Sequence, residues 1–200
     1  MSKVTAIGGN TYTNLTSIKR IEIPSFITSI DVDAFQGCSN LEKFQTNGIH
    51  ATFPFIASND GFLYKAINNN TQVEIVSVPP NMPDPSYPAL RASRLDLQTL
   101  YAVDGYKPVA KIGPKAVTNN LNLTRVEFYG TTNSLRLTEI SELAFSGCAN
   151  LGEFYFRSSI PPTIAQNAFS GIKAGAKGFY PRGATAYSTL NIPGITFVSL

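Results

Sequence analysis

One segment of this chain recurs with its internal spacing intact. Ile30-x-x-x-Ala34-Phe35-x-Gly37-Cys38-x-Asn40-Leu41-x-x-Phe44 matches Ile140-x-x-x-Ala144-Phe145-x-Gly147-Cys148-x-Asn150-Leu151-x-x-Phe154 at every named position. A third copy reads Ile112-x-x-x-Ala116-Val117-x-Asn119-Asn120-x-Asn122-Leu123-x-x-Val126, and a fourth begins Ile164-x-x-x-Ala168-Phe169-x-Gly171 before it drifts. Recurrence at one fixed spacing is the mark of a stacked array, in which each unit buries its apolar face only against its neighbours. Ile23 and Thr46 are equivalent positions 23 residues apart, and Ala144 and Ala168 are 24 apart. Ala116 and Ala144 are 28 apart, which fits a loop insertion around Gly130–Leu135.

Each position in the unit has a physical reading. Ile21-x-Ile23, Val126-x-Phe128 and Phe154-x-Phe156 alternate with polar residues, the period-two pattern of a strand with one buried face. One such strand per unit, stacked on the next, builds a parallel sheet. Pro24 and Pro181 follow equivalent strand positions and end the ladder there, because proline has no N–H to donate. Ile27-x-x-Ile30 returns along the other wall. Ala34-Phe35 and its copies place a small residue beside a large one, so a tight turn drives a ring inward; burying one stabilises by roughly 1.5–3 kcal/mol. The predicted repeat core is Phe35, Cys38, Asn40, Leu41, Asn122, Leu123, Phe145, Cys148, Asn150, Leu151 and Phe169. The Asn residues are expected buried in turns, where they satisfy backbone groups of their own and the next coil. The two cysteines lie more than a repeat apart, too far to bridge, and read as core thiols.

A unit of 20 to 29 residues with Leu, Ile and Phe at fixed offsets and Asn or Cys at one position is a leucine-rich-repeat pattern. Ile21–Ile30 followed by Ala34-Phe35-Gln36-Gly37-Cys38-Ser39-Asn40-Leu41 closely resembles the BspA-type leucine-rich repeat. Asn59-Asp60-Gly61-Phe62-Leu63-Tyr64 resembles that family's hairpin, Val78-Pro79-Pro80 the end of its return strand, and Phe179–Gly183 with Ala186-Tyr187 and Phe197 its terminal segment. The chain departs from the pattern at Asn81–Pro108, and at Val117 and Asn120, where Phe and Cys are usual. The resemblance implies a mostly β fold with short helical turns: a leucine-rich-repeat solenoid with a parallel sheet, one hairpin-containing insertion and a C-terminal cap. A single domain is expected over 1–200, with an N-terminal lead at 1–17, a first repeat at 18–46 and an insertion at 47–110. Further repeats are expected at 111–181, and the cap at 182–200. Within the insertion, Gly61–Ile67 and Gln72–Val78 read as strands about an Asn68-Asn69-Asn70-Thr71 turn, while Arg94–Tyr101 fits either a strand or a short helix.

Little here suggests catalysis. His50 is the only histidine, and no Gly-x-Ser-x-Gly turn, phosphate loop or His-Glu-x-x-His pair accompanies it. With one histidine and two cysteines, no structural zinc site and no metal or other cofactor is expected. Asp31, Asp33, Asp60 and Asp84 read as turn-capping residues rather than calcium ligands. Charged residues are 14% of the chain, against roughly 25% in ordinary soluble domains, so polarity comes mostly from Ser, Thr and Asn. The formal charge of +3 has no Lys/Arg run behind it, which argues against nucleic-acid binding. No apolar stretch approaches the roughly 20 residues of a membrane-spanning helix.

The outward strand positions are more informative. One column across the repeats reads Arg20, Lys43, Arg125, Glu153 and Lys177; the next reads Glu22, Gln45, Glu127, Tyr155 and Phe179; beyond lie Tyr129 and Arg157. Such a face is either solvated and self-neutralised or a binding surface rich in aromatic and Arg residues. The candidate binding residues are Arg125, Glu127, Tyr129, Glu153, Tyr155, Arg157 and Phe179. The resemblance implies a non-enzymatic, adhesion-type module that binds a protein or cell-surface ligand outside the cell. Met1-Ser2-Lys3 and the Thr-, Gly- and Asn-rich residues after it do not read as a secretory leader. The alternative expectation is therefore a structural subunit of a virion or appendage, for which self-association would be expected.

Overall fold

Alternating apolar and polar residues become short strands throughout the computed structural model, which describes residues 4–46, 54–58, 61–84, 92–97, 99–102, 105–129 and 137–200, with the backbone alone at 99–102, 105 and 106. The strands are β1 (Ala6–Ile7), β2 (Arg20–Ile23), β3 (Ser29–Ile30), β4 (Lys43–Thr46), β5 (Phe55–Ala57), β6 (Leu63–Ile67), β7 (Gln72–Ser77) and β8 (Arg94–Leu97). They continue with β9 (Thr99–Ala102), β10 (Gly105–Ile112), β11 (Arg125–Phe128), β12 (Glu139–Ile140), β13 (Glu153–Phe156), β14 (Thr163–Ile164), β15 (Ala176–Tyr180) and β16 (Ile195–Ser199). In β2 the pattern is explicit: Ile21 and Ile23 are buried, and Arg20 and Glu22 are exposed.

The strands build the two walls of a leucine-rich-repeat solenoid. On the first wall, β2 pairs in parallel with β4, and a five-stranded parallel sheet runs β8-β11-β13-β15-β16. On the second, β1 pairs with β3, and a sheet runs β14-β12-β10-β7-β6-β5 with β9 antiparallel on β10. Both ladders end where the prolines require, β2 at Ile23 before Pro24 and β15 at Tyr180 before Pro181. Between the walls run turns closed by i to i+3 hydrogen bonds, as from Ala34 N to Asp31 O at 3.1 Å and Cys38 N to Phe35 O at 3.3 Å. Successive turns bond to each other: Val117 N donates to Ala144 O and Phe145 N to Ala168 O, both at 2.8 Å. At the turn's left-handed position stand Asn14, Gly37, Asn119, Gly147 and Gly171. A Cβ on Gly37 or Gly147 would collide with the Asn14 or Asn119 side chain stacked against it.

The same ladder reaches into the N-terminal segment read as a lead. Ile7 pairs with Ile30, and Tyr12 N and Asn14 N donate to Ala34 O and Gln36 O at 2.9 and 2.8 Å, so residues 4–17 stack as a repeat coil does. The stretch 47–110 also feeds both walls. Within it, β8 pairs in parallel with β11, and β7 with β10, which in turn pairs with β12. β6 and β7 form an antiparallel hairpin about Asn68–Thr71, with Asn68, Asn69 and Asn70 all at positive φ, a conformation asparagine tolerates better than other residues with a side chain. The segment left open between strand and helix is β8 followed by β9. At the C-terminal end, the 3-10 helix Thr185–Thr189 drives fully buried Tyr187 against Tyr180, with ring centres 5.0 Å apart.

Among the described residues, the buried ones fall into two clusters, one from Ile7 to Leu63 and a larger one from Phe62 to Ile195. In the larger, Phe145 and Phe169 stack at 5.5 Å and Phe154 packs edge-on to Phe169 at 4.7 Å. Cys38, Leu41, Leu123, Phe145, Cys148, Leu151 and Phe169 are buried. Each thiol donates to a carbonyl one coil back, Cys38 to Tyr12 O and Cys148 to Val117 O, both at 2.8 Å. Two expectations are corrected. Phe35 is only half-buried, because it lies on the seam between the clusters, where cavities open beside Ser77, Lys115 and Thr118. Asn40 and Asn150 are exposed and Asn122 is half-buried. They do bridge coils, to Thr16 O at 2.6 Å, Leu121 O at 2.7 Å and Pro80 O at 3.1 Å, but from the rim of the turn. Asn120, by contrast, is buried, and its oxygen accepts from Asn122 N and Leu123 N. His50, Asp60 and the Gly130–Leu135 loop lie outside the described residues.

Candidate functional site

The strand register decides which outward side chains meet. Arg125 is opposite Arg94 on one side and Glu153 on the other, and Glu153 is opposite Lys177. Glu127 lies between Asp96 and Tyr155, and Tyr155 is opposite Phe179. Parallel pairing without slippage thus produces two side-chain columns across β8, β11, β13 and β15. The column read from Arg20 to Lys177 is not one sheet among the described residues, since Arg20–Lys43 and Glu22–Gln45 pair separately on β2 and β4.

Glu127 departs from its alternation. It sits on the outer side of β11, yet its side chain is only 1% exposed. Three guanidiniums enclose it, from Arg94 on β8, Arg125 on β11 and Arg157 just past the end of β13. Arg94 Nη2 and Arg125 Nη2 each donate to Oε2 at 2.8 Å, and Arg157 Nε donates to Oε1 at 2.6 Å with its Nη2 on the same oxygen. Burial by itself would raise the Glu127 pKa; the hydrogen bonds from Arg125 and Arg157 and the charge on Arg157 outweigh it, and the carboxyl is held below its ordinary range. Arg94 Nε also donates to Asp96 at 2.6 Å, the foremost cause of its raised pKa. Tyr129 stands beside this group; burial first, then the charges of Glu127 and Asp96, push its hydroxyl pKa up.

An aromatic stack adjoins the ionic cluster. The Arg125 guanidinium lies 3.8 Å from the centre of the Tyr155 ring, and Arg157 lies 5.5 Å from it. The Phe179 ring stacks on Tyr155 with 4.7 Å between centres and 25° between planes. The Tyr155 hydroxyl donates to Glu153 Oε2 at 3.3 Å. Tyr155 and Phe179 are half-buried and Val198, opposite Phe179 on β16, extends the line. Arg125 and Arg157 thus each combine an ion pair to Glu127 with a cation–π contact to Tyr155.

The structure brings all seven candidate residues onto one face and adds Arg94 and Asp96. Their signal was in the sequence: Arg94-Leu95-Asp96-Leu97 repeats the Arg-apolar-acid-apolar pattern of Arg125-Val126-Glu127-Phe128. Glu127 itself is a seat for arginines rather than a group presented to solvent. No group of three or more potential metal ligands occurs among the described residues. No described helix is long and apolar enough to cross a membrane.

The sequence model of the BspA type leucine rich repeat region matches residues 1–82 and 95–177, in six copies. No curated protein matches the chain in sequence. In fold, the chain is similar to a leucine rich cell surface protein from Faecalibacterium prausnitzii, at 23% identity and a TM-score of 0.52, over 98% of this chain and 51% of that one. It is also similar to a leucine-rich repeat protein from Eubacterium ventriosum, at 18% identity and a TM-score of 0.46, over 92% and 49% of the two chains. For the pneumococcal vaccine antigen PcpA the values are 11% and 0.49, over 100% and 60%. The chain therefore spans about half the length of the first two.

Proposed function

The chain belongs to the BspA-type leucine-rich repeat family, and on that premise we propose that it is a non-enzymatic, adhesion-type module whose β8-β11-β13-β15 face captures a protein at the cell surface. One observation carries the reading. Tyr155 and Phe179 form a half-exposed stack beside arginines that a buried carboxylate holds in place. Aromatic and arginine side chains dominate binding energy at protein interfaces, and preorganised ones lose less freedom on contact. A solvated, self-neutralised face would not need an aromatic ridge at its centre. The likeness to a protein described as a cell surface protein supports that location.

The test uses the full chain immobilised on a sensor, with purified extracellular-matrix and serum proteins passed over it. The Tyr155→Ala/Arg157→Ala double variant, confirmed folded by circular dichroism, should weaken each specific interaction by at least about tenfold. Equal binding by the variant and the wild type would remove this face from the account.

A further inference from the structure

We propose that the face recognises an extended acidic segment of a protein partner, in which a carboxylate side chain lies next to an apolar one. The inference rests on the reading of this face as the binding surface and adds the chemistry of what it takes. Three arginines surround Glu127, with side chains 48%, 28% and 37% exposed for Arg94, Arg125 and Arg157. Glu127 and Asp96 supply two negative charges against those three, so the cluster carries one net positive charge. Because Glu127 is itself buried, its role toward a ligand is positional. It accepts from each guanidinium while Asp96 takes Arg94 Nε and Arg125 Nε is buried without a partner, so it is the partly exposed remainder of the three side chains that faces solvent, across the 4.7–4.9 Å spacing typical of neighbouring strands. A carboxylate matches such planar donor edges in geometry and in charge.

Charge alone would suit a sulfated glycan as well as a peptide. The adjoining ridge decides between them. Tyr155 and Phe179 stack, and Val198 comes next in register on the neighbouring strand. This apolar strip abuts the arginines directly, through the 3.8 Å contact of Arg125 with the Tyr155 ring. A polyanionic glycan has no apolar surface to cover the ridge. A peptide with Asp or Glu beside an aliphatic or aromatic residue covers both, and an extended backbone spaces its alternate side chains at roughly 7 Å, within reach of neighbouring columns.

Random dodecapeptides displayed on phage, selected against the full chain, test this directly. Sequences pairing an acidic with an apolar residue should be enriched. Synthetic copies should lose at least about tenfold in affinity for Arg157→Gln, and for Tyr155→Ala, while Arg157→Lys retains part of the binding. Affinity should also fall with salt. Selected peptides that are basic or uncharged, yet still lose affinity with Tyr155→Ala, would overturn the acidic-partner inference and leave the binding face standing. Peptides indifferent to both variants would overturn the two together. Heparin binding lost in Arg157→Gln, with no peptide enriched, would replace the peptide by a sulfated glycan and overturn the inference.

Discussion

Arg157, one residue past the end of β13, holds its Nε 2.6 Å from Oε1 of Glu127 on the neighbouring β11, and that carboxylate, shared with Arg94 and Arg125, is 1% exposed. A buried carboxylate in this position is structural first. Glu127→Gln keeps the volume but leaves three guanidiniums without their central counter-charge. Breaking a buried ion pair costs about 3–5 kcal/mol, and the half-exposed arginines place this case toward about 2–4 kcal/mol. Thermal unfolding of the variant should show a Tm lower by roughly 5–15 °C. An unchanged Tm would mean the cluster contributes nothing to the fold.

The same carboxylate sets an acid response. Its folded pKa is depressed from the ordinary value of 4.5, so its contribution to stability is fully present above that value and is lost as pH falls through the folded pKa. Glu139 is depressed as well, chiefly by the hydrogen bond from Ser141, and adds its own loss as pH falls. Denaturant melts from pH 6 down to pH 2 should show falling stability below about 4.5 for the wild type, with a shallower slope for Glu127→Gln. Parallel slopes would detach Glu127 from the acid response.

Both cysteines should be chemically silent in the native protein. Burial pushes the Cys148 thiol up to about 11 and also raises that of Cys38. Iodoacetamide at pH 8 should label neither until the chain is unfolded, when it labels both. Native labelling of Cys148 would contradict its burial and its bond to Val117 O.

Equivalent repeat positions should not be equally costly to truncate. Phe145 is fully buried among Phe154, Phe169 and Phe128, whereas Phe35 borders the seam. Phe145→Ala should cost about 3–5 kcal/mol and Phe35→Ala clearly less, by denaturant unfolding. By the same logic, Asn120→Ala strands two backbone N–H groups and should cost about 1–3 kcal/mol, while Asn150→Ala frees a rim carbonyl to water and should cost under about 1 kcal/mol.

Much of this was legible because it is local. The spacing Ile30, Ala34, Phe35, Cys38, Leu41 gives the phase of each coil, and phase alone aligns Arg125 with Glu153 and Lys177. The Asn68–Thr71 turn announces itself by composition. What was not legible is non-local. Alternation puts Glu127 on the outer side of β11, and only arginines 33 residues before it and 30 after it bury it there. Likewise, the half-burial of Phe35 depends on the seam formed with Val76–Val78 and Lys115, far along the chain. The strand Arg94–Leu97 was obscured by the proline-rich run before it, although its charge pattern copies that of β11.

Ligand capture on the first wall would cover Phe179. The chain contains no tryptophan, so Phe179→Trp places the chain's one indole, excited selectively above the tyrosine band, on that face, and Val32→Trp places it beside β3 on the second wall, where Val32 is 51% exposed. Each variant would be titrated with a binder from the sensor experiment while its emission is recorded. A blue shift that saturates with binding is expected for Phe179→Trp and none for Val32→Trp. A saturating shift at Val32→Trp alone, or binding that leaves both spectra unchanged, would contradict capture on the first wall.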